Sequence, residues 1–292
     1  MGSCALLAGS LSVRAGDSEG ITAVSSKVSD DYARGRLPDG SFRPEFYSFG
    51  KGGKWEGEIS DATIDKLQFT DVARVIAVPL TAQKYLPSRD VARTTLLIML
   101  YWGTTAVPGP TSDSVAVGEF RAAQDFLDRA MNPHNPEPHS VQDAAMDQMS
   151  AATVVLNMEN RQRDLTDFRN AAMLGYDSTG VIGTDYGMEV RRTPMKYRRD
   201  ELISEIEENR YFVVLMAYDF QLLWRQKKHK LLWETRFSIR EKDHQFDRDL
   251  PSMAQYASSF FGQDSHGLVR KEVPLGRVDI GDLKSLGTVP GK

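Results

Sequence analysis

Apolar and polar positions follow two periods along this chain, and the points where one gives way to the other divide it into elements. TTLLIMLYWGTT, at 94–105, is an unbroken apolar run that stops at glycine. Its length and composition suit a central strand buried on both faces. RYFVVLMAYDF, at 210–220, is apolar on both alternating sets: Tyr211, Val213, Leu215 and Ala217 on one, Phe212, Val214, Met216, Tyr218 and Phe220 on the other. It too predicts a strand covered from both sides. In LLWETRFSIR, at 231–240, Leu231, Trp233, Thr235, Phe237 and Ile239 alternate with Leu232, Glu234, Arg236, Ser238 and Arg240, so one side is buried and the other mostly polar. QKKHK between these two strands reads as an exposed hairpin loop. LLIMLYWG and VVLMAYDF look alike and fit equivalent strands of one sheet, which favours one mixed domain over separate helical and strand domains.

The helical period governs four other stretches. Residues 61–86 carry Ile64, Leu67, Val72, Val75, Ile76 and Leu80 along one stripe, with a break or kink expected at Pro79. Residues 114–131 place Phe120, Ala123, Phe126, Leu127 and Ala130 on one side. The longest pattern runs from Ser140, a capping residue, to Met173, with Val141, Ala145, Met149, Ala152, Val155, Leu156, Leu165 and Phe168 approximating a single face. Residues 246–267 contain a short helix, with Leu250, Met253, Ala254, Ala257 and Phe261 able to cover a sheet, Pro251 in its first turn and Gly262 as its stop.

Turn residues punctuate the rest. PDG at 38–40 is a turn, Phe46, Tyr47 and Phe49 predict a short strand, and GKGG at 50–53 then predicts a flexible loop. NPHNPEPHS at 132–140 is a proline-rich break, GYDSTGVIGTDYGM at 175–188 a glycine-rich connection, and Val273, Leu275, Val278 and Ile280 a last short strand or extended tail. The pattern therefore predicts an α/β (α+β-like) fold: a mixed, largely antiparallel sheet covered by helices. Residues 1–30 are expected to be a flexible N-terminal segment or signal remnant, and 31–292 a single domain with a long helical insertion at about 140–174.

Composition narrows the function classes. Of 292 residues, 36 are basic and 40 acidic, for a net charge of −4, so the chain has no general attraction to nucleic acid or to an anionic membrane. Its one cysteine, Cys4, rules out intramolecular disulfides and thiolate metal clusters. No segment reaches the roughly 20 apolar residues that span a bilayer. The head, MGSCALLAGSLSV, is too short in its apolar part for a normal secretory core, but it fits the remnant of an export signal or a lipoprotein box.

Candidate chemistry is sparse. GQDSHG at 262–267 holds an acid, a hydroxyl and an imidazole, but its glycine lies three positions before Ser265 and it follows a helix, the reverse of a hydrolase elbow. Successive side chains rarely converge as a nucleophile and base must, so Asp264 and Ser265 more simply cap and turn the chain. Asp219, an acid inside a strand, needs partners, and Glu234 and Arg236 on the next strand are the nearest candidates. His134, His139 and Glu137 fall short of a metal ligand set. The lysine of GKGGK sits between glycines and does not build a phosphate-binding loop. Arg191, Arg192, Lys196, Arg198 and Arg199 form the densest positive stretch, followed at once by acids that suit a helix start.

Taken together, LLIMLYWGTT, YFVVLMAYDF, LLWETRFSIR and FFGQDSHG resemble an uncharacterised family of bacterial exported or lipoprotein-like proteins over roughly residues 40–290. The resemblance carries no catalytic residue, cofactor or metal with it. It implies an envelope-associated, non-enzymatic domain, periplasmic rather than cytoplasmic, acting through contacts with another envelope protein. Two alternatives remain: a hydrolase drawing on Asp219, Glu234, His244, Ser265 and His266, and an anion-binding module using Arg191–Arg199, joined by Lys227–Lys230. An enzyme should gather at least three of the former groups in one concavity.

Overall fold

The two apolar runs pair with each other. Strand β4 (Leu96–Thr104) lies antiparallel to β5 (Arg210–Asp219), with Leu96 opposite Asp219 and Thr104 opposite Tyr211. The structure, a computed structural model, describes residues 20–55, 57, 60–106, 114–134, 137–176 and 202–273. Around the central pair the other strands are β1 (Gly20–Val28), β2 (Glu45–Trp55), β3 (Tyr85–Pro87), β6 (Leu231–Arg240) and β7 (Leu268–Val273). They form one seven-stranded sheet in the order β3-β2-β4-β5-β6-β1-β7. β2 runs parallel to β3 and β4, and every other pairing is antiparallel. The fold is α/β, with the mixed, largely antiparallel sheet that the alternation predicts.

Helices cover both faces. α1 (Ala62–Asp65), α2 (Phe69–Ala82) and α7 (Phe246–Ala257) lie on the face formed by Ile98, Leu100 and Trp102 of β4 and by Tyr211, Val213 and Leu215 of β5. Val72, Ile76 and Leu80 of α2 and Leu250, Met253 and Ala254 of α7 complete this main core. The opposite face is covered by the end of α4 (His139–Leu174) and by α5 (202–206), which pack Ala171, Leu174 and Ile206 on Phe212 and Val214. α3 (Val115–Ala130) packs on α4, and α6 (Phe220–Gln226) follows β5 directly.

Several expectations are corrected. The flexible start does not reach residue 30, because Gly20–Val28 is a strand held between β6 and β7. GKGG is not a loop: β2 continues through it to Trp55, with an irregularity between Lys51 and Gly53. The glycines there make room for β4, since a Cβ on Gly52 would meet the Tyr101 ring at 2.6 Å and one on Gly50 would collide with Met99. The stretch after Asp219 is not a simple hairpin. Asp219 accepts the Leu222 amide at 2.9 Å and starts α6, after which the chain returns to the sheet. Pro251 lies past the first turn of α7, because the Asp249 carboxylate takes the Gln245 amide at 2.9 Å and the helix begins at Phe246. The long helix begins at His139 after Pro138 without a side-chain cap, so Ser140 is inside it. The last strand among the described residues is Leu268–Val273; the tail expected at Leu275, Val278 and Ile280, the glycine-rich connection from 177 and Arg191–Arg199 lie outside the described residues.

Candidate functional site

The groups that a hydrolase would need are dispersed. Asp219 stands at the far end of β5 as the cap of α6. His244 follows the end of β6, where Arg240 pairs with Arg210 at the opposite end of β5. At about 3.3 Å per residue, the length of β5 puts these ends roughly 30 Å apart. The His244 side chain is buried, with Nδ1 3.1 Å from Asp249 Oδ2. Glu234 turns its carboxylate to the face opposite Thr235 and pairs with Arg236 Nη2 at 2.9 Å. Arg236 also donates to the Ala172 carbonyl, which ties β6 to the end of α4.

Ser265 is a structural pin. Its hydroxyl accepts the Ser26 amide at 2.8 Å and has the Gly267 and Ser26 carbonyls at 2.6 and 3.1 Å as acceptors for its one proton, while its own amide donates to the Ser26 carbonyl. The Ser26 hydroxyl lies 2.7 Å from Thr235 Oγ1 and donates to the Phe260 carbonyl at 2.9 Å. Asp264 accepts the amide of His266 at 2.6 Å, and the imidazole projects into solvent, 91% exposed. GQDSHG is therefore a capped turn that continues the edge of the sheet beyond β7.

The basic loop before β6 is partly engaged. Lys227 closes α6 in a left-handed conformation over the Trp224 ring, and Lys230 pairs with Asp31 at 2.5 Å. A buried cation, Arg34, lies between the rings of Phe42 and Tyr85 at 3.8 and 4.2 Å and donates to the Gln83 carbonyl. Nearby, Tyr32 donates to Glu45 Oε2 at 2.7 Å. Burial pushes the Glu45 carboxyl above its usual range, opposed by that hydrogen bond and by Arg34. This cluster fastens the 30–45 segment to the sheet edge. Among the described residues, no three His, Cys, Asp or Glu side chains gather as a metal would require, and no helix is long and apolar enough to cross a membrane.

The most distinctive surface is the helical arm. α3 and α4 form an antiparallel hairpin, and α4 alone, at 36 residues, is about 54 Å long. Their seam is built on alanine. Ala116, Ala123 and Ala130 are buried at seven-residue intervals on α3, as are Ala145 and Ala152 on α4. Small side chains at this period let two helices approach closely in a left-handed crossing. Ser114 fixes the base of the hairpin: its hydroxyl accepts the Val117 amide as the α3 cap and donates to Glu159 Oε2 at 2.7 Å.

Past Glu159, α4 leaves α3 and lies on the sheet. Asn170 Nδ2 donates to the carbonyls of Ala106 and Ile206 at 2.6 and 3.1 Å, joining helix, β4 exit and α5. Beside it Asp167 is 7% exposed, and among the described residues neither its Oδ1 nor Asn170 Oδ1 has a hydrogen-bond partner. Burial first, and then the nearby Glu207 and Asp164 carboxylates, push Asp167 up to about 6, opposed by Arg163.

The single apolar face expected for this helix does not exist. Ala145 and Ala152 are covered, whereas Val154, Met158, Leu165 and Phe168 point away from both α3 and the sheet and are 58%, 65%, 53% and 39% exposed. Val155 is exposed too. Val154 and Met158 were absent from the expected face. Their steps of four, then seven, then three residues to Leu165 and Phe168 are the signal that would have separated a second stripe from the alanine one.

Comparison with known proteins adds little. No family model matches the chain, and no curated protein does. Among solved structures, it is similar to the crystal structure of a PDZ domain protein from Parabacteroides distasonis ATCC 8503, at 11% identity and a TM-score of 0.38. That match covers 86% of this chain but 38% of the other, so the chain spans well under two thirds of its neighbour's length.

Proposed function

We propose that the protein is a binding domain that holds a protein partner on the outer face of its helical arm. The observation that carries this reading is the exposed stripe of Val154, Met158, Leu165 and Phe168 on a helix whose opposite side is already occupied. A helix that is apolar on two sides is stabilised by burial on both. Exposed side chains of this size, aligned along one helix, form an apolar patch of a few hundred Å², which marks an interaction site more often than ordinary surface does. The dispersal of Asp219, Glu234, His244 and Ser265, each in a structural contact, directs attention to surface binding rather than to a reaction.

A photo-crosslinking amino acid at Met158 tests the reading in cells that make the full chain. Position 158 should yield discrete protein adducts, and Val78, an equally exposed valine on α2, should not. Equal yields at the two positions, or none at either, would overturn it. The envelope setting belongs to the same proposal and is supported by the family resemblance. Cell fractionation tests it, and a wholly cytosolic pool would remove it.

A further inference from the structure

The outer stripe of α4 continues in both directions as a seam of exposed residues in steps of three and four: Asp147, Ala151, Val154, Met158, Arg161, Leu165 and Phe168. Such steps average 3.5 residues, the period at which one helix lies along another in a left-handed pair. A second helix laid along this face could keep contact over the whole seam.

Charge along the seam is polar. Asp143 and Asp147 lie toward its start, and Arg161 and Arg169 toward its end; all four are exposed. None of them forms an ion pair or a side-chain hydrogen bond among the described residues. A parallel copy of the same helix would set acid against acid and arginine against arginine. An antiparallel copy sets each acidic end, Asp143 and Asp147, against the other's end that carries Arg161 and Arg169, with Val154 and Met158 of the two copies between them. The seam is thus complementary to itself when reversed, the condition for a two-fold interface in which one patch serves both partners.

The geometry leaves room for this. The seam lies on the side of α4 opposite Asp167, Asn170 and Leu174, which face the sheet. From residue 147 to 168 it offers about 32 Å of helix. The apolar part of the seam is a few hundred Å² on each copy, and α3, which packs on the opposite side of α4, adds nothing to it. That is less than the roughly 800 Å² per partner of a standard interface, which fits a weak pair that forms as concentration rises.

We propose that a second copy of this chain docks antiparallel on the outer seam of α4, so that the two α4 helices pack face to face with each α3 on the outer side of its own α4. This rests on the arm being the binding surface and names its partner.

Charge reversal in the full-length chain provides the test. By sedimentation, the parent should move from one chain to two as its concentration rises through the micromolar range. Met158→Glu/Leu165→Glu should stay monomeric with an unchanged circular dichroism spectrum, because both positions are exposed in the single chain. Asp143→Arg/Asp147→Arg and Arg161→Asp/Arg169→Asp should each self-associate about tenfold more weakly or worse, because like charges then meet at the ends. Mixed together, the two should form a heterodimer, since every reversed contact is again opposite in sign. A parent that stays monomeric, or a mixture no tighter than either variant alone, overturns the second copy as partner. If the parent is monomeric and Met158 still crosslinks to a different protein in cells, the binding reading survives with another occupant. If Met158 crosslinks to nothing, both fall.

Discussion

The Ser26 amide donates to the hydroxyl of Ser265 while the Ser265 amide donates back to the Ser26 carbonyl, so the one serine flanked by an acid and a histidine is spent on holding the N-terminal strand to the sheet edge. Both hydrogen bonds link positions 239 residues apart in the chain. Among the described residues its hydroxyl meets only backbone groups: His266 projects into solvent, and the Ser26 and Thr235 hydroxyls bond to each other.

Ser265→Ala is therefore expected to lower unfolding free energy by about 1 kcal/mol. Ser26→Ala should cost more, because its hydroxyl donates its one proton to a buried carbonyl, with those of Phe260 and Glu234 both in reach, and also bonds the Thr235 hydroxyl. Urea denaturation of the two variants checks the order. A fluorophosphonate probe should leave Ser265 unlabelled.

Asp219 acts through the first turn of α6. Asp219→Ala should destabilise the protein by about 1 kcal/mol, the usual loss for a helix cap, and Asp219→Asn should recover most of it. If Asn behaves like Ala in denaturant titrations, the carboxylate has a role beyond capping.

Gly52 and Gly50 separate backbone crowding from side-chain crowding. A Cβ on Gly52 would lie 2.7 Å from the Leu100 carbonyl oxygen as well as against the Tyr101 ring, whereas on Gly50 its tightest neighbour is the flexible Met99 side chain. Gly52→Ala is expected to cost about 2 kcal/mol and Gly50→Ala clearly less. Thermal melts of both variants would show the reverse order if the strand can shift at Gly52.

Asp167 makes the docking of α4 sensitive to pH. Its carboxyl, raised from 3.8 to about 6 in the folded protein, favours the protonated form there. Its stabilising contribution is full below about 4 and lost as pH rises through about 6. Asp167→Asn should therefore melt a few degrees above the parent at pH 7–8, with the gap closing as pH falls toward 4. Carbon NMR of the carboxyl should show its midpoint near 6. A gap that does not change with pH would remove the effect.

The period of the apolar residues was enough to place β4, β5, β6 and the long helix, because burial on one or both sides leaves a mark at every second position or every third and fourth. The same period carries the two stripes of α4 without saying which is covered. That depends on α3 folding back with alanines at the matching height, and on Asn170 meeting the carbonyls of Ala106 and Ile206. Glycines at 50–53 read as a loop because local propensity favours one; β4 side chains lying over them make the stretch a strand. Asp219 and Ser265 looked chemical because acids and hydroxyls in apolar surroundings need partners. Their partners, the Leu222 amide and the backbone of Ser26, are set by where the chain turns and which strand returns beside it. The sequence alone determined the elements and their amphipathic faces. Which faces are buried, and which acids and hydroxyls are satisfied, only the tertiary structure decided, because both depend on long-range contacts that local spacing does not encode.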